Sequence, residues 1–253
     1  MSVHVDDPLA VGPHAAALAL FECLRSHIAV KVVEELTDKA GVTYLGMLYR
    51  RIPGGLVERI PPGYISSMAE ALGVVRSKPP VTPGVKGRHL KPADEAPLDP
   101  ARHRLYRGIV GRRQWILGVR VDLLYAVKEL SRWLQAPREV NSIAAKRVVK
   151  YALSTSDYAL TLVPTPGQTL VIRGGSDSDW AGCPFTRNSS SGAIVFLNGA
   201  LVSALCRTQT VPALSSPEAE YYACCVGIAE AKYVRSLLAD WGFQARMYPC
   251  LLY

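Results

Sequence analysis

The chain lacks the closely spaced cysteine pairs that mark zinc sites. Its six cysteines are spread over 253 residues, and none falls in a Cys-x-x-Cys arrangement. Structural zinc sites need paired ligands a few residues apart, and small secreted domains use denser cysteine frameworks. Both classes are therefore excluded, and we expect reduced thiols, most of them buried.

Long apolar runs are also missing. No run approaches the roughly 18 to 20 apolar residues that a membrane-spanning helix requires. The N-terminus has no charged region followed by an apolar one, as a secretory signal would. The sequence therefore predicts a soluble, intracellular protein with no membrane partner.

The composition is typical of a folded protein that binds an anion. Hydrophobic residues make up 49% of the chain and charged residues 20%, which excludes the disordered class. The length allows one large domain or two modest ones, each with its own core. The 29 basic side chains outnumber the 21 acidic ones and leave a net charge of +8. This balance favours an anionic partner such as nucleic acid.

The C-terminal third has the pattern strand, strand, strand, helix. Apolar runs at 170–173, 193–197 and 200–205 predict the three strands. Asn198-Gly199 predicts a tight hairpin between the last two, because both positions tolerate a positive φ. The Ser-Ser-Pro-Glu sequence at 215–218 is a capping box with proline in the first turn, so a helix is predicted from there to about residue 240.

Two acids stand out within that pattern. Asp177 lies at the end of the first predicted strand, and Glu220 lies in the first turn of the helix, 43 residues later. A helix that crosses the strands can bring them together, and facing carboxylates are costly unless a cation neutralises them. Oxygen ligands suit Mg²⁺ or Mn²⁺, and two such ions can act on a phosphodiester. The alternative is that Asp177 and Asp179 cap a turn and that Glu220 is a solvated helix residue.

The same region contains three longer motifs. They are Ser-Asp-x-Asp-Trp-Ala-Gly at 176–182, Thr-Arg-Asn-Ser-Ser-Ser-Gly at 186–192 and Leu-Ser-Ser-x-Glu-Ala-Glu-Tyr at 214–221. Together they resemble the ribonuclease H domain in the Pol polyproteins of copia-type LTR retrotransposons. The resemblance implies that Asp177 and Glu220 are catalytic metal ligands and that Glu218 serves the helix cap. It also implies hydrolysis of the RNA strand of RNA/DNA hybrids, with Mg²⁺ or Mn²⁺ as the cofactor in a two-metal site.

The N-terminal segment carries an acidic pair, Asp6 and Asp7, between two short apolar runs. Taken alone, this pair is more simply a solvated turn. Together with Tyr-Leu-Gly at 44–46, however, the segment resembles the reverse-transcriptase palm of the same family. The resemblance implies that Asp6 and Asp7 are catalytic metal ligands of the polymerase. The family's other catalytic aspartate lies on an earlier palm strand that this chain does not contain, so we expect an incomplete polymerase site.

The pattern divides the chain into four segments. Residues 1–60 resemble the end of the palm and contain a predicted helix at 15–27 and predicted strands at 30–33 and 42–48. Residues 61–100 comprise the start of the thumb, with a short helix at 62–72, and a linker with six prolines between 79 and 100, which deny helix and sheet. Residues 101–165 resemble the helical thumb and connection, with helices predicted at 106–117, 123–134 and, capped by Asn141, 142–153. Residues 166–253 form the truncated ribonuclease H-like domain.

Basic side chains are concentrated in the helical segment. A duplex held between polymerase and nuclease would meet them, and each neutralised phosphate would add salt dependence. For any one of them a solvated helix face is the simpler alternative, but the set together with the charge of +8 favours nucleic-acid contact. The predicted nucleic-acid-binding residues are Arg112, Arg113, Arg120, Lys146, Arg147, Lys150 and Arg187.

The sequence thus predicts a mixed fold, α+β or α/β. A partial palm and a helical connection precede an incomplete ribonuclease H-like domain of three antiparallel strands plus a helix. Residues 245–253 resemble the lead-in to a fourth strand that ends in a catalytic Asp-Asn in the family. We therefore expect the nuclease site to hold two of its four acids.

The function expected from this resemblance is that of an inactive fragment of a retrotransposon Pol protein. Its expected partners are an RNA/DNA hybrid or another nucleic acid and the remainder of the polyprotein, in the cytoplasm within virus-like particles or in the nucleus. Two alternatives stay open. The chain is either a non-catalytic module that binds hybrid duplexes, or a degenerate retroelement remnant, inactive or repurposed as an interaction protein.

Overall fold

The computed structural model describes residues 2–4, 7–30, 34–74, 78–84, 96–167 and 169–249. Several sequence-based predictions fall outside these ranges: Asp6, the strand residues 31–33, the linker residues 85–95 and residues 250–253. In the described part, two four-stranded sheets and six α-helices form a mixed α/β fold, which confirms the predicted class at that level. None of the described helices has the length and apolar character needed to cross a membrane.

The chain begins with a two-stranded antiparallel hairpin. Strand β1 (Ser2–His4) pairs with β2 (Asp7–Leu9), and His4 lies opposite Asp7. Helix α1 (His14–Arg25) follows and confirms the helix predicted at 15–27. None of its residues is buried, so α1 contributes no buried side chain to the fold.

A first four-stranded sheet combines residues from distant parts of the chain. Its order is β3 (Val42–Tyr44), β4 (Met47–Ile52), β5 (Gly55–Arg59) and β6 (Leu160–Leu162), with every neighbouring pair antiparallel. Strand β6 belongs to a segment more than a hundred residues later than β5. The sheet therefore ties the start of the chain to the end of the helical region.

The predicted single strand at 42–48 is wrong, because the chain turns in its middle. Leu45 and Gly46 have φ values of 47° and 77° and form the tight turn between β3 and β4. A Cβ at Gly46 would lie 2.7 Å from Cζ2 of Trp115. Both the positive φ and this close approach require glycine at position 46.

Four helices pack into one core beside this sheet. They are α2 (Tyr64–Ala71), α3 (Pro100–Trp115), α4 (Leu124–Ser131) and α5 (Glu139–Ser154), with short 3₁₀ helices at Ile116–Gly118 and Val121–Leu123. Met68, Ile109, Leu123 and Val149 are completely or almost completely buried where these helices meet. The helix predicted at 62–72 is confirmed as α2.

Helices α3 and α5 both begin earlier than predicted. Asp99 caps α3, because its Oδ1 accepts hydrogen bonds of 3.0 Å from the N–H groups of Ala101 and Arg102. The predicted cap of α5, Asn141, instead lies inside its first turn and accepts the N–H of Arg138 at 2.8 Å. In both cases a polar side chain accepts backbone N–H groups at the start of its helix. The sequence alone did not show that Asp99 precedes its helix while Asn141 lies inside its helix.

The second four-stranded sheet confirms the order strand, strand, strand, helix. Strands β7 (Leu170–Asp179), β8 (Ser190–Leu197) and β9 (Ala200–Thr208) are antiparallel, and helix α6 (Ser216–Asp240) follows. Strand β10 (Ala245–Pro249) returns to pair parallel to β7, so the sheet order is β10-β7-β8-β9. The predicted Asn198-Gly199 turn is present, with φ values of 47° and 87°.

A stripe of small residues lets α6 lie close to this sheet. Ala219, Ala223, Gly227 and Ala231 recur every four residues along the helix, and all are buried. A Cβ at Gly227 would lie 3.2 Å from the Cβ of Ser176 on β7. This close contact sets the distance between α6 and the sheet. It therefore also determines which residues of the sheet the side chains at the start of α6 can contact.

Candidate active site at the end of β7

Helix α6 starts with a well-formed cap above the end of β7. The Oγ of Ser215 accepts the N–H of Glu218 at 3.3 Å. The Glu218 side chain accepts the N–H of Leu214 at 2.8 Å and the hydroxyl of Tyr222 at 3.0 Å. The prediction that Glu218 serves the helix start is confirmed, so its carboxylate is engaged away from the sheet.

Glu220 points to the sheet instead and contacts the last residues of β7. Its Oε1 accepts the hydroxyl of Ser178 at 2.8 Å and the N–H of Ser178 at 3.3 Å. Ser178 directly follows Asp177 in the chain. The fold therefore carries Glu220 to the residue next to Asp177, across a separation of 43 residues in sequence.

Asp177 is exposed, and the pleat of β7 turns its side chain away from the helix. Its Cα partner on β8 is Gly192, and the pairing register runs without a break from Ile172 to Asp179. Successive strand residues point to opposite faces, and Ser178 faces α6. No hydrogen bond joins Asp177 to Glu220 within the described residues, so the shared cation stays a prediction.

Asp179 has a structural role in the turn after β7. Its Oδ1 accepts the N–H of Ser190 in a short hydrogen bond, and its carbonyl accepts the N–H of Gly182 at 3.3 Å. A Cβ at Gly182 would lie 2.2 Å from Oδ2 of Asp179, so any larger residue there would displace the Asp179 carboxylate. The turn-capping alternative thus describes Asp179 and not Asp177.

The chemistry of the donor set suits one hard divalent cation. Asp177 and Glu220 offer only oxygen ligands, and Oε2 of Glu220 makes no hydrogen bond within the described part of the chain. Across the same ranges, no group of three or more His, Cys, Asp or Glu side chains could hold a metal ion. Two carboxylates leave most of a six-coordinate shell to water, and the pleat of β7 directs Asp177 away from Glu220, so a shared ion requires Asp177 to turn toward α6.

Of the two predicted polymerase acids, the structure describes only Asp7. Asp6 is outside the described residues, and for Asp7 the structure describes only the backbone, which belongs to β2. Their catalytic and metal-binding roles stay predictions.

Two of the predicted phosphate-binding residues are buried in the helical core. Arg113 is 1% exposed and donates to the carbonyl of Ala145 at 2.7 Å, and burial lowers its pKa to about 9. Arg120, also 1% exposed, forms a two-point ion pair with Asp122 and donates to the carbonyl and hydroxyl of Thr155. Neither guanidinium can reach a duplex, so the prediction is wrong for both.

The remaining predicted basic residues have mixed exposure. Arg112 is half-buried over the ring of Tyr64 and donates to Ser67 at 2.6 Å. Lys146, Arg147 and Lys150 on α5 are also half-buried, whereas Arg187 is exposed in the turn after β7.

A basic face that the sequence analysis missed lies on the outside of α3. Arg104 and Arg107 are exposed, and neither takes part in a described ion pair or hydrogen bond. Gly108 and Gly111 lie on the same face, and a Cβ at either position would meet nothing within 4 Å. We call these four residues the α3 face. Their spacing of three and four residues in the sequence already predicts that they share one helix face. A total of basic residues does not show this, because it gives no positions.

Helix α4 connects the helical core to the turn after β7. Lys128 Nζ donates to Ser190 Oγ at 2.5 Å, and Arg132 Nη2 donates to Cys183 Sγ at 3.0 Å. Burial raises the pKa of the Cys183 thiol, but hydrogen bonds from Thr186 and Arg132 outweigh burial and lower it to about 7. The two parts of the molecule thus share a polar contact beside the candidate site.

Comparisons with known proteins identify relatives among polyproteins. The chain is 32% identical over 253 residues to "Retrovirus-related Pol polyprotein from transposon RE2" of Arabidopsis thaliana, covering 99% of the chain and 17% of that protein. It is 27% identical over 192 residues to "Retrovirus-related Pol polyprotein from transposon TNT 1-94" of Nicotiana tabacum, covering 73% of the chain and 14% of that protein. "Secreted RxLR effector protein 161" of Plasmopara viticola is 38% identical over 130 residues, or 51% of the chain and 90% of the effector. No family model and no solved structure matches.

Proposed function

Because the chain belongs to the Pol polyproteins of copia-type retrotransposons, we propose that it is the segment in which a reverse transcriptase passes into a ribonuclease H. The chain spans 17% of the length of the polyprotein it matches over 99% of its residues, so the activity of the whole protein is part of the proposal. The proposed substrate is an RNA/DNA hybrid, and the proposed reaction of the complete enzyme is hydrolysis of its RNA strand.

One observation carries the nuclease assignment. Helix α6 brings the Glu220 carboxylate to within 3.3 Å of the nitrogen of Ser178, the residue that follows Asp177. Nothing in the local sequence around Glu220 or Ser178 requires this contact, since the two residues lie on different elements of the fold. The order of three antiparallel strands, a crossing helix and a strand parallel to the first also supports a ribonuclease H-like module at 166–249.

Within this proposal, Asp177 turns toward α6, and its carboxylate and that of Glu220 hold Mg²⁺ or Mn²⁺. A bound divalent cation supplies an activated water and stabilises charge on the phosphodiester. The chain contributes the two carboxylates, and Ser178 donates to one of them. Because no group of three or more His, Cys, Asp or Glu side chains among the described residues could hold a metal ion, we expect the chain alone to bind a hybrid without cleaving it.

The hybrid is proposed to lie along the α3 face. Arg104 and Arg107 supply positive charge, while Gly108 and Gly111 leave room for a backbone to approach the helix closely. Phosphate contacts of this kind position a duplex without reading its sequence. The corresponding location in the cell is the cytoplasm, inside virus-like particles, or the nucleus.

Binding of Mn²⁺ to the whole chain tests the proposal. Electron paramagnetic resonance titration should detect one weak site that is lost in Asp177→Asn and in Glu220→Gln. Glu230→Gln is the matched control, because Glu230 lies on the same helix and accepts a 2.7 Å hydrogen bond from Ser203, a residue of β9. Binding that persists in both site variants, or that falls equally in the control, would contradict the metal site.

A further inference from the structure

The Glu220 carboxylate is the end of a row of polar side chains that crosses the sheet. Gln209, directly after β9, donates through Nε2 to Oγ of Ser191 on β8 at 3.0 Å. Ser191 lies directly opposite Ser178 in the pairing of β7 with β8. Ser178 in turn donates its hydroxyl to Glu220 at 2.8 Å. Strands β7 and β8, helix α6 and the residue that follows β9 meet in this row.

Gln209 also fixes the first turn of α6. Its Nε2 donates to the carbonyl of Ala219, the residue before Glu220, at 2.9 Å. Both backbone polar groups of Gln209 are hydrogen-bonded. Its N–H donates to the carbonyl of Ser189 at 2.8 Å, and its carbonyl accepts from Nδ2 of Asn188 at 2.7 Å. Gln209 is only 9% exposed, so these bonds are shielded from water. The helix start is therefore tied to β8 and β9 through one buried amide.

Ser178 acts on the carboxylate itself. Two donors of one residue, its hydroxyl and its N–H, share Oε1 of Glu220. Hydrogen bonds to a charged acceptor are stronger than neutral ones, and two of them restrict the rotation of a flexible glutamate. Oε1 is thereby occupied, whereas Oε2 makes no hydrogen bond within the described ranges.

We propose that Ser178 and Gln209 are positioning residues for Glu220. Gln209 sets the place of the first turn of α6 over the sheet, and Ser178 orients the carboxylate so that Oε2 is the oxygen that binds the divalent cation. The inference deepens the proposed function and rests on it for the cation, but the orientation of Glu220 is measurable without metal. Partners of this kind, behind a metal ligand, commonly change metal affinity by roughly 10- to 100-fold.

Mn²⁺ titration of three serine variants tests the effect on the ion. We expect Ser178→Ala to weaken binding about tenfold and Ser178→Thr, which keeps a hydroxyl, to restore most of it. Ser203→Ala is the matched control, because Ser203 donates to Glu230 at 2.7 Å in a second serine–glutamate pair between the same sheet and α6. If Ser203→Ala weakens Mn²⁺ binding as much as Ser178→Ala, the effect is one of general stability and the proposal is overturned.

The second measurement needs no metal. In the side-chain ¹³C spectrum of the metal-free chain, the Glu220 carboxyl signal should shift in Ser178→Ala and in Gln209→Ala and stay unchanged in Ser203→Ala. A signal that is the same in all four proteins overturns the proposal, whatever the titration gives. If the signal shifts as expected but wild type does not bind Mn²⁺, or Glu220→Gln does not weaken binding, the proposed function fails while the positioning of Glu220 stands.

Discussion

At the scale of single residues, two glutamates of one helix turn have opposite roles. Glu218 and Glu220 are two positions apart, which places them on different sides of α6. Glu218 binds the N–H of Leu214 in front of the helix, whereas Glu220 reaches Ser178 on the sheet. The role of Glu218 follows from a local capping pattern and could be predicted from sequence. The contact of Glu220 depends on where the helix crosses the sheet, which no local pattern specifies.

The thiol of Cys183 is predicted to make stability depend on pH. Its pKa in the folded chain is lowered to about 7, below the ordinary thiol value. An acid with a lowered folded pKa adds stability that is complete above its unfolded pKa and is lost as pH falls through the folded one. The unfolding free energy of wild type relative to Cys183→Ser should therefore rise from about pH 6 to about pH 9, measured by urea denaturation with reductant present.

Cys206 provides the control for that experiment. Burial raises the pKa of its thiol, so its contribution is complete below the unfolded pKa and is lost as pH rises. The difference between wild type and Cys206→Ser should accordingly change in the opposite direction. A pH-independent difference for Cys183→Ser would show that the Arg132 and Thr186 hydrogen bonds do not stabilise a thiolate.

At the scale of elements, periodic and capped segments were predictable and tertiary contacts were not. The strands β7, β8 and β9, the Asn198-Gly199 turn and the cap of α6 all follow from local signals. The turn at Gly46 was missed because its glycine requirement comes from Trp115, some seventy residues away in sequence. The closeness of α6 to β7 likewise depends on Gly227 meeting Ser176, a contact between two elements.

Replacing Gly227 by leucine should destabilise the second sheet. Its Cβ would already lie 3.2 Å from Ser176 and 3.7 Å from Ala193, so a larger side chain must push the helix outward. We expect a loss of about 1–3 kcal/mol in unfolding free energy, typical of overpacking, and weaker Mn²⁺ binding because Glu220 moves with the helix. Ala229→Leu, on the exposed side of α6, is the control and should be close to neutral. Equal effects of the two substitutions would contradict the close contact.

At the scale of the whole molecule, the helical core and the second sheet are joined through α4 and the turn after β7. The Lys128–Ser190 and Arg132–Cys183 contacts link them. The net charge of +8 correctly suggested a basic surface but not its location. Arg113 and Arg120 are counted in that charge, yet both are buried, while Arg104 and Arg107 of α3 are exposed and outside the described ion pairs. Charge counts cannot separate these groups because burial is decided by tertiary packing.

Removing a charge from the α3 face should weaken binding of an RNA/DNA hybrid. Arg107→Ala deletes one exposed guanidinium, so fluorescence anisotropy at several salt concentrations should give lower affinity and a salt slope smaller by roughly 0.9 per lost phosphate contact. Arg235→Ala removes an exposed arginine from α6 and lowers the net charge by the same amount, and it should reduce hybrid affinity less. Indistinguishable losses in the two variants would place the duplex elsewhere or indicate nonspecific attraction.

The meeting of Asp177 and Glu220 at one cation is tested most directly by mapping where Mn²⁺ binds. Paramagnetic broadening of backbone amide signals, recorded at substoichiometric Mn²⁺, reports which residues lie close to the ion. The account predicts that the signals of residues 177–178 and 219–221 disappear together and return in Asp177→Asn. Broadening that affects only one of these two segments, or that is centred elsewhere in the chain, would contradict it.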